Sequence, residues 1–233
     1  TPVDDAIPWA YQTDVLVASY DITRSFGRLY KFDVSWGVEA RRDAFRAPAL
    51  EGRAPEVVGD FERAVMPVSD TRVYPYVAFN PYRGEFMQIL DFVTLGLQEN
   101  IRLGHDVYAK LAPVTRGLAS SRDFLGVYGG AGYTIPLGDG FVRGYAEAAV
   151  EREPDQVADA SATVGGVITT PRLGFGRLVL DAVSMRRVEN YLNRRSSLGG
   201  DTRLRGYPSG AFVGEHLISA NIEFRSRPLE LAT

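Results

Sequence analysis

Six arginines lie between positions 186 and 205: Arg186, Arg187, Arg194, Arg195, Arg203 and Arg205. A guanidinium presents a planar fork of donors that pairs bidentately with a carboxylate. The basic stretch therefore looks for acids, and Glu147, Glu151, Asp181 and Glu223 are candidates in strand-like runs. Those four could be read as catalytic acid–base groups; charge lining an enclosed polar face is the preferred reading. His105 and His216 are far apart, and neither has a nucleophile or a ligand spacing, so surface or rim positions are expected. No Gly-x-Ser-x-Gly elbow is present, which argues against a lipase-type centre in this chain. Gly129-Gly130-Ala131-Gly132 is not followed by a helix, so small residues in a curved strand explain it better than a phosphate loop. Cysteine is absent, which removes disulfides and thiolate metal sites. No catalytic residue, metal or cofactor is expected.

The elements that would carry these groups are strands. Over Arg28–Arg41, Tyr30, Phe32, Val34, Trp36, Val38 and Ala40 alternate with Lys31, Asp33, Ser35, Gly37, Glu39 and Arg41. Successive side chains of a strand point to opposite faces, so one face is apolar and the other polar. The same alternation recurs over 124–135, 141–152 and 157–168, and is clearest over 217–227. There Ile218, Ala220, Ile222 and Phe224 oppose Ser219, Asn221, Glu223, Arg225 and Arg227. Turn chemistry at Pro136–Gly140, Glu153-Pro154-Asp155 and Thr170-Pro171 separates the runs. Strands are predicted over 13–22, 27–43, 72–80, 85–99, 104–116, 123–135, 140–152, 156–169, 172–188 and 212–228. Pro75 and Pro81 predict an edge, bulge or bend in the third. Residues 44–71 read as a long loop with a short helix around Phe61–Val65. Counted this way, that loop falls on the short-turn side, so one strand assignment between 44 and 102 must be wrong.

Long strands and short turns favour an antiparallel transmembrane β-barrel over a sandwich. No run of 18 apolar residues occurs, which excludes a spanning helix; a barrel strand needs only about 9–11 residues with every second one apolar. A mean hydropathy of −0.11 is compatible with a barrel and equally with a soluble protein. The polar face carries full charges in most strands, among them Lys31, Asp33, Glu39, Asp106, Lys110, Arg143, Arg177 and Arg225. A wide membrane barrel has such an interior, whereas a small soluble barrel fills its centre with apolar groups. Trp36, Tyr30, Tyr82, Phe86, Tyr133 and Phe141 are expected near strand ends as interfacial girdles. A net charge of −3 argues against nucleic acid as a partner.

The loop 189–214 carries Leu198-Gly199-Gly200, then Arg205-Gly206-Tyr207, and is followed by Asn221-Ile222-Glu223-Phe224-Arg225. This lead-in, tip and strand resemble the signature of the BamA, TamA and FhaC superfamily of outer-membrane barrels, firmly over about 172–228. The resemblance implies a loop folded back into the lumen, with Arg205 paired to an acid on the inner wall. Glu223 is the candidate partner within this chain, with Arg225, Asn221, Asp181 and Glu147 as further wall residues.

The resemblance further implies non-enzymatic insertion of outer-membrane proteins or secretion of a partner polypeptide, in a bacterial-type outer membrane. Partners would be lipids including lipopolysaccharide, client polypeptides and other subunits of a membrane complex. A structural or pore-forming barrel, or a soluble ligand-binding β-barrel, is the alternative. Superfamily members complete sixteen strands and most carry periplasmic POTRA domains first. Residues 1–233 are read as one barrel domain of about ten strands with one strand after the loop, so a longer polypeptide is expected.

Overall fold

A computed structural model describes residues 11–48, 54–90, 92, 97–200 and 203–226. The fold is all-β, with 70% strand and 7% helix, so period-two alternation rather than helical periodicity sets the architecture. Ten strands form one antiparallel sheet: β1 (Gln12–Gly27), β2 (Tyr30–Arg46), β3 (Asp70–Arg83), β4 (Glu85–Leu90), β5 (Gln98–Val114), β6 (Phe124–Leu137), β7 (Gly140–Arg152), β8 (Val157–Thr169), β9 (Gly176–Asn190) and, last in the chain, a strand over Leu217–Ser226. Two short strands before it, β10 (Ser196–Leu198) and β11 (Phe212–Gly214), pair with each other, so the last strand is β12. The order is β1-β2-β3-β5-β6-β7-β8-β9-β12, with β4 on β5. The sheet is not closed, and β1 and β12 are its two edges. Among the described residues no helix is long and apolar enough to cross a membrane.

The runs predicted as separate third and fourth strands lie along one line. Val77 faces Leu111, Tyr82 faces Asp106, Glu85 faces Leu103 and Leu90 faces Gln98, without a register step. β3 and β4 therefore continue each other past Gly84, which resolves the parity conflict. Opposite that break, Gly104 adopts φ +76, a left-handed conformation that a side chain would strain. The predicted strand 85–99 extends over residues 91 and 93–96, which lie outside the described residues.

Both prolines are accommodated within β3. Pro75 and Pro81 oppose Val38 and Phe32 of β2. On the other side, β5 pairs β3 only from Val77 onward. The rest of β3 is satisfied by the β5–β6 loop. Thr71 N donates to Ser121 Oγ at 2.8 Å, Val73 N to Ser120 Oγ at 2.8 Å, and Ser121 N to the Thr71 carbonyl at 2.8 Å. Backbone groups that lack a strand partner must find another acceptor or donor, and these serines supply them.

Residues directly opposite in an antiparallel pair share a face. Following the register across the sheet, Glu39, Tyr74, Lys110, Tyr128, Glu147, Thr163, Asp181, Asn221 and Glu223 fall on one polar face. The other face holds Leu16, Ile22, Trp36, Val127, Tyr133, Ile135, Val164, Ile168, Ile218 and Ile222, all exposed, with Ile218 at 80%. The packed apolar groups lie instead on the polar face, where Tyr74, Ala112, Val114 and Phe124 cluster with Tyr76 and Tyr128 against them. Tyr82 and Phe141, expected in an apolar girdle, are corrected by the register: Tyr82 opposes Lys31, and Phe141, 3% exposed, opposes Thr169. Phe86, also expected in the girdle, is exposed but opposes Arg102; the other exposed aromatics near the short-turn end include Phe26, Tyr30, Phe32, Tyr133, Phe175 and Phe224.

The long connections gather at the opposite end. The predicted short helix extends over Pro55–Val65 as α1, started by Pro55 and Glu56 and burying Phe61 and Val65. Its last carbonyls are capped from the β9–β12 loop. Asn193 Nδ2 donates to the Arg63 and Met66 carbonyls at 3.1 and 2.9 Å, and Arg195 Nη2 to that of Ala64 at 2.8 Å.

Candidate functional site

Five ionic side chains are buried together on the polar face near the loop end: Asp43, Asp70, Arg72, Arg122 and Glu151. Four come from strands, and the β5–β6 loop delivers Arg122. Arg72 reaches Glu151 at 3.2 Å, Asp43 at 3.2 Å and Asp70 at 3.6 Å. Arg122 bridges Asp70 at 2.9 Å and Glu151 at 2.6 Å. Burial works against the Arg122 charge, but its bonds to Asp70 and Glu151 outweigh this and hold the guanidinium above its ordinary value. The same loop is braced at its exposed base. Asp123 accepts from Arg116 N and Thr115 Oγ1, which keeps its carboxyl below the usual range.

These pairs measure the curvature of the sheet. Arg72 on β3 and Glu151 on β7 are separated by β5 and β6, yet their side chains meet. Lys110 reaches Glu39 across β3 at 2.7 Å, and Arg143 reaches Asp106 across β6 at 3.3 Å. The polar face is thus the concave one. At the short-turn end, Arg225 Nη1 donates to the Phe92 carbonyl, and the Phe92 ring meets Phe141 edge-on at 5.1 Å. Phe92, between β4 and β5, therefore lies against β7 and β12 on the concave face.

The loop motif is spread over three contacts. Gly200 N donates to the Tyr207 carbonyl at 2.9 Å, and Gly199, at φ +122, lies so close to the Pro208 carbonyl that no Cβ fits. Gly206 has φ +104, and the Tyr207 ring packs edge-on against Phe212 at 5.3 Å. Arg205 Nη1 stands 3.8 Å from Glu223 Oε1, with 68% of its side chain exposed. Glu223 makes a closer pair with Arg225 at 2.7 Å. Arg203, two residues before, is the more enclosed arginine at 22% and pairs with Asp181. Asn221 faces Asp181 in register. Asp201, Thr202 and Arg227 lie outside the described residues.

Glu147 belongs to a different place. It lines a cavity of about 490 Å³ on the concave face, with Asp106, Tyr108, Arg143, Tyr145 and Thr163. Gly129, Gly130 and Gly132 form one wall of it, which gives the glycine-rich run in β6 a structural use. A second chamber of about 540 Å³ lies between β1–β3 and the Arg187–Arg195 region.

His105 stacks on Tyr30 at 5.9 Å, and His216 Nδ1 accepts from Arg187 N at 3.3 Å. Among the described residues no group of three or more His, Asp or Glu is placed to hold a metal ion. Sequence reasoning missed Asp43, Asp70 and Arg72, although each sits at a strand-end position of polar parity. It also missed Arg122 and Phe92, which lie in connections where alternation says nothing. The chain matches no family model, no curated protein and no solved structure.

Proposed function

We propose that the chain forms an outer-membrane β-barrel, or most of one, resembling the machinery that inserts outer-membrane proteins or secretes a partner polypeptide. One observation carries this reading: the exposed convex face is apolar on strand after strand, while the ionic groups face a concave interior. A soluble sheet that exposed Leu16, Trp36, Ile218 and Ile222 would leave its apolar area in water, at a cost of about 25 cal/mol per Å². Hydrocarbon removes that cost. The exposed aromatics at the short-turn end suit an interfacial girdle.

The mechanism needs no catalytic residue. β1 and β12 offer unpaired backbone donors and acceptors at the two edges, and a client strand would add to one of them by edge pairing. Arg203 and Arg205, on Asp181 and Glu223, would hold the returning loop against the wall. An open pore is the second reading; α1 and the Phe92 connection, lying at the two ends of the interior, favour the first.

The test uses Trp36, which sits on the convex face of β2. In a Trp9→Phe background, the chain refolded into vesicles should lose Trp36 fluorescence when the lipid acyl chains are brominated. Equal emission in brominated and ordinary vesicles refutes the membrane reading. With quenching established, acceleration of client-barrel folding in the same vesicles tests insertion, and its absence refutes that role.

A further inference from the structure

We propose that the 540 Å³ chamber is a binding site for a phosphate group carried on a sugar-sized body. Its lining is unbalanced in charge. Six cations, Arg41, Arg72, Lys110, Arg187, Arg194 and Arg195, line it with two carboxylates, Glu39 and Asp43, and Arg72 is also neutralised from behind by Asp70 and Glu151. Both carboxylates are already engaged: Glu39 holds Lys110 at 2.7 Å, and Asp43 holds Arg41 at 2.9 Å and Arg72 at 3.2 Å. Arg195 turns to Glu215 at 3.6 Å and to the Ala64 carbonyl. Among the described residues, Arg187 and Arg194 make no contact ion pair; the buried Asp159 acts on both, and Glu215 on Arg187, only from beyond that distance. The Nε groups of Arg187 and Arg195 are buried without a hydrogen-bond partner.

Half-buried guanidiniums whose nearest acids stand beyond ion-pair distance are only partly compensated, and an anion in the chamber lowers the remaining cost. Phosphate matches the guanidinium fork, accepting two parallel bonds from each arginine. Tyr11 and Tyr108, both exposed, line the same space and offer flat faces and hydroxyls to a sugar ring. The volume falls within the roughly 300–1,000 Å³ of small-molecule sites. The phosphate can arrive on a soluble sugar phosphate or on the headgroup of a phosphorylated glycolipid. The inference stands on the concave face alone and does not depend on what the convex face meets.

The experiment is calorimetric titration of the full chain in detergent micelles with glucose 6-phosphate, with glucose, and with a micellar phosphorylated glycolipid. Binding of either phosphorylated probe but not of glucose is expected, and the probe that binds identifies the source. Arg187→Ala/Arg194→Ala should weaken binding about tenfold or more. Arg186→Ala, on the opposite face of β9, should leave it unchanged. Far-UV circular dichroism reports whether the double variant folds; if it does not, Arg194→Gln alone should still weaken binding. The proposal is overturned if neither phosphorylated probe binds, if glucose binds equally well, if a glutamate-rich peptide binds more tightly than both, or if the folded arginine variants bind like the parent.

Discussion

At the scale of residues, two arginines two positions apart do different work. Arg203 is mostly enclosed against Asp181, whereas Arg205 is mostly exposed 3.8 Å from Glu223, which already holds Arg225. An exposed pair contributes little, about 0–1 kcal/mol. Arg203→Ala should therefore speed protease cleavage of the 199–210 loop more than Arg205→Ala does; the reverse order would make the glycine-flanked arginine the principal pin. Glu151 is a second test. It is 2% exposed and holds both Arg72 and Arg122. Glu151→Ala leaves two buried cations short of one acid, a change that costs about 3 kcal/mol when a buried pair is broken. A lower urea midpoint is expected; an unchanged one would mean that the cluster contributes nothing to stability. Alternation in the sequence placed Glu147, Asp181 and Glu223 on a charged face, but it could not distinguish Arg203 from Arg205, because loop geometry has no period.

At the scale of elements, legibility followed the same boundary. β7 and β8 were readable almost to the residue, because Val142 to Ala148 and Ala158 to Val164 alternate and turn residues bound both runs. β3 and β4 were not, because Pro75, Pro81 and Gly84 resemble terminators and only pairing with β5 reveals one line. The helix was visible at Phe61–Val65 but not at its Pro55 start. Glycine in strands has a comparable hidden use. A Cβ at Gly37 would collide with the Tyr20 carbonyl and stand 2.7 Å from the Asp21 Cβ on β1. Gly37→Ala should therefore loosen β1 from β2, and amide exchange in β1 should rise while β7 and β8 keep their protection. Unchanged exchange in β1 would show that the edge absorbs the methyl.

At the scale of the whole molecule, the concave interior is occupied from both ends. α1 and the β9–β12 loop are tied together at one end by Asn193 and Arg195. The connection after β4 is tied to β12 at the other by Arg225 on Phe92. If the chain spans a bilayer as proposed, it should conduct ions poorly, and Arg225→Ala, which frees Phe92, should raise the conductance. A large steady conductance of the parent chain would favour the pore reading. This scale was the least legible of the three, since closure at each end depends on connections whose reach no strand pattern encodes.

The serines beside β3 have a consequence for alignment. A strand that slides along its neighbour exchanges each rung for an equivalent one two residues away, so a ladder resists slippage only weakly where its faces are alike. Hydroxyls held on a folded connection offer no second set of rungs. Ser120 and Ser121 thus act as a key in a slot: they accept Asp70–Tyr76 in one position, and every strand paired onward from β3 inherits that setting.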